Sequence, residues 1–139
     1  AAIALHNLPE GMVIGASYAA DLAEAGEDGR MMALVIGLHN IPEGMAVAVP
    51  LAAGGASRGR AVLTTAAAGA PTVLGAVLGF CLGTMGPGLQ MLTLGGASGA
   101  MLYVVFGELL PESFRLCRSP APVMAAVLGV LTGMGVVLG

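Results

Sequence analysis

Imidazole, carboxamide and carboxylate recur in one order at two places in the chain, His6-Asn7-Leu8-Pro9-Glu10-Gly11 and His39-Asn40-Ile41-Pro42-Glu43-Gly44. On a helix advancing about 100° per residue, Glu10 falls about 40° and Asn7 about 100° from His6, so the three share a face with the carboxylate in the middle. The second copy repeats that arrangement. If the two faces oppose each other, Glu10 and Glu43 form a central pair, with His6 and His39 on one side and Asn7 and Asn40 on the other. That leaves room for two ions bridged by two carboxylates. Imidazole with carboxylate and amide oxygen, and no thiolate, suits Zn²⁺, Fe²⁺ or Mn²⁺ better than Ca²⁺, which takes an all-oxygen cage, or Cu⁺, which takes sulfur.

The surroundings of these groups are apolar. Of the 139 residues 57% are hydrophobic and only 9% charged, with mean hydropathy +0.92, against about 25% charged in an ordinary soluble domain. A soluble fold is excluded on that ground. The net charge of -3 and five arginines, Arg30 alone and two pairs at Arg58/Arg60 and Arg115/Arg118, exclude a nucleic-acid-binding face. A glutamate near the centre of a bilayer costs at least about 2.5 kcal/mol on insertion scales, so each copy of the motif needs a compensating charge. A purely structural role, with His and Glu only hydrogen-bonding between helices, is outweighed by the recurrence of the whole hexapeptide. Pro9 and Pro42 lack an N-H, release the carbonyls of Leu5 and Leu38, and are expected to kink or break their helices; Gly11 and Gly44 add local freedom. Exposed backbone beside a polar cavity is how a membrane helix supplies further oxygen ligands.

Five apolar runs meet the length of about 20 residues that a spanning helix needs: roughly 1–20, 31–53, 61–85, 89–110 and 122–139. The expected fold is all-α, a polytopic transmembrane bundle forming a single membrane domain over 1–139. The opening on Ala1, without methionine or a basic leader, and the close on Gly139 within an apolar run read as a fragment. The connector Asp21 to Arg30 is acidic; the second holds Arg58 and Arg60, the fourth Arg115 and Arg118, and the third, Gly86-Pro87-Gly88, is uncharged. Basic segments stay cytoplasmic, which places the N-terminus inside and the C-terminus outside. Gly75, Gly79 and Gly83, like Gly129 and Gly133, are spaced to let helix backbones meet, within one subunit in preference to the alternative, the seam of a homodimer. Cys81 and Cys117 are expected to be free thiols.

The paired HNxPEG motif on two consecutive spans resembles the ZIP (Zrt/Irt-like) divalent metal transporters, and the chain is similar to the last five of that family's eight helices, leaving about three N-terminal helices outside it. The resemblance implies uptake of zinc, or of iron or manganese, into the cytoplasm through a binuclear centre whose ligands are His6, Asn7, Glu10, His39, Asn40 and Glu43. It implies no cofactor besides the carried ion, and the lipid bilayer and the missing helices as partners. One departure matters. Many members carry a carboxylate just before a proline in the next helix, where this chain reads Gly69-Ala70-Pro71. A strong ion is therefore expected on the histidine side and a weak or vacant position on the asparagine side. Glu108, in Gly107-Glu108-Leu109-Leu110-Pro111-Glu112, resembles an exit carboxylate; Glu112 reads better as a partner of Arg115.

Other polar residues promise less. Ser17, Thr64, Thr65, Thr72, Ser98 and Thr132 are expected to bond back to their own helix or a neighbour. Met12 and Met45 read as core filler, and Tyr103 as packing. Two other functions compete. An intramembrane metalloenzyme would use a similar site to activate water, but no HExxH signature or further base stands beside the motif. A metal sensor would bind ions without moving them.

Overall fold

The structure is a computed structural model that describes residues 2–138, with side chains described from His6 to Gly135 and at Leu138. The outermost residues of the first and last expected spans, Ala1 and Gly139, lie outside the described residues. Every described element is helical: α1 (Ala2–Glu24), α2 (Asp28–Ala53), α3 (Arg58–Thr84), α4 (Pro87–Tyr103), a π-helix (Val104–Leu109), α5 (Leu110–Leu116) and α6 (Ala121–Leu138). Among the described residues, α2, α3 and the continuous run from Pro87 to Leu116 are each long and apolar enough to cross a membrane. The chain divides into two compact units, one running from α1 to Met101 and the other from Leu102 onward.

The first connector is shorter than the sequence suggested. Only Ala25, Gly26 and Glu27 separate α1 from α2, because the charged residues around them sit on helix ends, where they reach water without leaving the helix. Ala25 turns the chain at φ 53°. Asp21 then closes the hairpin: its Oδ1 accepts from the Asp28 N-H at 2.9 Å and its Oδ2 from the Gly29 N-H at 2.8 Å, satisfying two amides that the first turn of α2 leaves without partners. Gly29 is buried against Tyr18, and a Cβ there would lie 2.7 Å from the Tyr18 ring.

α1 and α3 run parallel, and their contact is the closest in the first unit. On α1, Leu8, Gly11, Met12, Gly15, Ala16 and Ala19 make one stripe; on α3, Thr72, Gly75, Ala76, Gly79, Phe80 and Gly83 make another with the same spacing. The glycines interlock. A Cβ on Gly11 would strike the Thr72 carbonyl, on Gly15 the Ala76 carbonyl, on Gly75 the Leu8 carbonyl and on Gly79 the Met12 carbonyl. The spacing of Gly75, Gly79 and Gly83 thus serves packing within one chain. Gly11, expected to loosen the motif, instead lets α3 reach its backbone. A Cβ added at Gly129 or Gly133 would meet nothing within 4 Å outside its own helix turn.

The helices do not break at their prolines. α1 continues through Pro9, α2 through Pro42 and Pro50, and α3 through Pro71, because a proline deletes one backbone bond while the turns on either side keep theirs. In the second unit the accommodation is larger. The Leu110 N-H donates to the carbonyl of Val105, five residues back, and Pro111 follows at once. A π turn absorbs the mismatch that the missing proline N-H creates.

Two outcomes test this packing. Gly75→Ala, which drives a methyl into the Leu8 carbonyl, is expected to destabilise the full-length protein by about 1–3 kcal/mol, read as a lower melting temperature in detergent, whereas Gly59→Ala, facing open space, leaves it unchanged or raised. Asp21→Ala is expected to cost about 1 kcal/mol in the same measurement, the ordinary loss of a helix cap.

Candidate metal centre

The hairpin turns the motif faces of α1 and α2 toward each other, and the charged groups meet crosswise. His6 Nε2 lies 2.7 Å from Glu43 Oε1, and His39 Nε2 lies 3.5 Å from Glu10 Oε1. Two ligand atoms on a tetrahedral Zn²⁺ with bonds of 2.0–2.1 Å sit about 3.3 Å apart, close to the second distance. The first approach lacks hydrogen-bond geometry and leaves Glu43 Oε1 buried without a partner. A cation shared between such atoms would supply the missing interaction.

The centre is not symmetric. Ligand atoms of His6, Glu10 and Glu43 fall within 4.8 Å of one another, a grouping able to hold a metal ion, whereas the His39 side chain is 60% exposed. Glu10 is 2% exposed and Asn7 likewise. Asn40, with its amide oriented by its partners, donates from Nδ2 to Glu10 Oε2 at 3.1 Å, Glu43 Oε2 at 3.2 Å and the Ile36 carbonyl at 3.3 Å. It thereby links the two carboxylates. The arginines are elsewhere: Arg30 reaches Glu27 at 3.3 Å and Arg115 reaches Glu112 at 3.6 Å, so neither neutralises the central pair.

On the asparagine side, Asn7, Asn40, Glu43, Gly44, Val47, Thr65, Ala68 and Gly69 enclose a cavity of about 100 Å³. Asn7 Nδ2 donates to the Ala68 carbonyl at 3.1 Å, which anchors the amide on α3, while Asn7 Oδ1 stays buried without a partner. The α3 contribution comes from Thr65, Ala68 and Gly69, at the i, i+3, i+4 spacing of one helical face. Ala70 is exposed and lies off that stripe, about 140° from Thr65 at helical pitch. No carboxylate of α3 faces the cavity, since α3 contains none.

Thr65 departs from expectation. Thr132 donates to the Leu128 carbonyl at 2.8 Å, and Thr84 to the Phe80 and Cys81 carbonyls at 3.1 and 2.9 Å, as buried or lipid-facing hydroxyls commonly do. The hydroxyls of Thr65 and Thr72 are buried and unpartnered. The signal that would have found Thr65 is the stripe of small and polar residues at 65, 68, 69 and 72. Glu108 stands in the second unit, exposed on the π-helix, and Glu112 pairs with Arg115 as expected. Cys81 and Cys117 are free.

Comparison with known proteins gives one consistent result. The profile of the family described as ZIP Zinc transporter matches residues 1–139. The chain is similar to the "Zinc transporter GufA" of Myxococcus xanthus, 44% identical over 114 residues that cover 82% of this chain and 44% of the relative. It is similar also to the "Zinc transporter ZIPB" of Bordetella bronchiseptica, 37% identical over 137 residues covering 98% of this chain and 42% of the relative. The chain thus spans less than half the length of these relatives. No solved structure matches it.

The Asn7 anchor can be checked directly. Asn7→Asp replaces the donating amide by an oxygen that faces the Ala68 carbonyl, and is expected to lower the metal-free melting temperature of the full-length protein by the equivalent of about 1–3 kcal/mol.

Proposed function

The chain belongs to the ZIP zinc transporter family and to an integral, multi-pass membrane protein, and from that premise we propose that the protein moves divalent transition-metal ions into the cytoplasm through the centre between α1 and α2. Zn²⁺ is the leading cargo, with Fe²⁺ and Mn²⁺ as further candidates. The observation that carries this reading is the pair of buried Glu10 and half-buried Glu43, each approached by an imidazole from the opposite helix and by no arginine. Two carboxylates withdrawn from water need a positive charge, and a divalent ion held by His6, Glu10 and Glu43 provides it. His39, Asn7 and Asn40 complete the ligand set. His39, being exposed, suits the role of the ligand that meets or releases the ion.

Further features support the direction. The arginines of the second and fourth connectors favour a cytoplasmic N-terminus and an extracytoplasmic C-terminus. The interlocked α1 and α3 suit a body that moves as one piece, and the apolar faces of α2 and α3, exposed at Leu34, Leu38, Val62 and Val73 among others, suit lipid or further helices of the same protein. Glu108, poised on a π-helix that ends a spanning run, is the candidate for receiving the ion at the cytoplasmic end. A metalloenzyme or a sensor would bind metal at the same centre without net flux, so flux is the deciding measurement.

With the full-length protein in liposomes, Zn²⁺ influx followed by an entrapped fluorescent indicator is expected to drop to background in Glu10→Ala and in Glu43→Ala. Parent-like influx in either variant would reject the assignment of transport to this motif.

A further inference from the structure

At the elbow between α2 and α3 stand two cations, Arg58 and Arg60, that no carboxylate among the described residues answers. Arg30 and Arg115 each pair with an acid three residues earlier, Glu27 and Glu112. Between Glu43 and Glu108, by contrast, the sequence holds no acidic residue, and Arg58 and Arg60 are its only charges. Both are exposed, and neither forms an ion pair among the described residues. Ser57 already caps this turn, accepting from the Arg60 N-H at 3.4 Å, so the unanswered charge belongs to the side chains. Their setting is a membrane surface. α2 ends at Ala53 and α3 begins at Arg58, and each is long and apolar enough to span, so the elbow and both arginines stand where bilayer meets water. One turn deeper, Val62 follows Arg58 at i+4 and Leu63 follows Arg60 at i+3, 69% and 72% exposed, while Ala61 is buried. Each guanidinium thus stands over an exposed apolar side chain on its own face of the helix.

We propose that this elbow is a binding surface for anionic phospholipid, with Arg58 and Arg60 holding headgroup phosphates and Val62 and Leu63 lying against the acyl chains. The planar guanidinium presents paired N-H donors to phosphate oxygens, and a long basic side chain at the end of a span reaches the headgroup level. Net charge decides which lipid fits. Two cations without a protein counterion attract a headgroup of net negative charge, whereas a zwitterionic headgroup brings a cation of its own to the same place. The two arginines are about 200° apart around α3, so they flank the helix and take separate lipids. The inference needs only the membrane setting of α2 and α3 and stands apart from the metal centre.

The test uses the full-length protein in neutral detergent, titrated with phosphatidylglycerol or with phosphatidylcholine, the bound lipids being counted by native mass spectrometry. The parent is expected to bind phosphatidylglycerol the more tightly. Arg58→Gln and Arg60→Gln are each expected to weaken one phosphatidylglycerol about fivefold, the equivalent of about 1 kcal/mol for a basic side chain at a lipid surface. The Arg58→Lys/Arg60→Lys double variant keeps the preference for phosphatidylglycerol, and so does Arg30→Gln, whose charge Glu27 already answers. Equal binding of the two lipids by the parent would overturn the inference without recourse to any variant, and would mean that a carboxylate from elsewhere in the protein covers the elbow. Parent-like phosphatidylglycerol binding in the two Gln variants, or an equal loss in Arg30→Gln, would overturn it as well. Displacement of the lipid by millimolar inorganic phosphate would replace the lipid surface by a site for soluble anions.

Discussion

Two carboxylates held out of water between two helices set the terms for the rest of the molecule. Glu10 on α1 and Glu43 on α2 are buried and semi-buried, and no arginine reaches them. In a medium of low dielectric an unpaired carboxylate is far more costly than a paired one. The imidazoles approach crosswise, and Asn40 donates one amide to both carboxylates. Each of these contacts lowers the cost, yet none carries a fixed positive charge. A cation placed among His6, Glu10 and Glu43, whose ligand atoms lie within 4.8 Å of one another, would offset that cost.

One of the two helices that bear the centre is fixed against α3. The contact between α1 and α3 does this by glycine, since each stripe lacks a Cβ where the other presents a carbonyl. In lipid, helices gain little from burying apolar side chains, and association depends on close backbone packing. The same contact delivers chemistry as well as strength. By fixing the rotation of α3, it turns Thr65, Ala68 and Gly69 toward the motif and lets Asn7 bond a backbone carbonyl of α3. The α1–α2 pair is tied differently, through a three-residue connector and the Asp21 cap at its end. One pair is interlocked through backbone along its length, and the other is joined by its connector and by the polar groups of the motif.

Much of this arrangement was legible in the residues. The 57% apolar composition with 9% charge could only be a membrane bundle, and the doubled hexapeptide placed His, Asn and Glu on facing stripes by helical pitch alone. Gly75, Gly79 and Gly83 announced a close contact. What the residues concealed lies in rotation and exposure. Ala70 stood in the position of interest by sequence order, yet helical pitch sends it off the stripe that Thr65, Ala68 and Gly69 share. Pro9 and Pro42 suggested broken helices, but intact turns on either side carry the backbone through. Pro111 alone forces a different helix, the π-helix at Val104–Leu109.

By itself the sequence determined the solvent, the helical class and the transporter family, because composition, periodicity and motif are properties of a chain read one residue at a time. Only the tertiary structure decided which of the motif side chains stand together. His6, Glu10 and Glu43 gather within one ion's reach while His39 faces outward, and a threonine with no motif to mark it joins the asparagines across a small cavity. Those choices depend on how far each helix is turned about its own axis. For α1 and α3 that angle is set by glycine contacts between residues more than sixty positions apart in the chain.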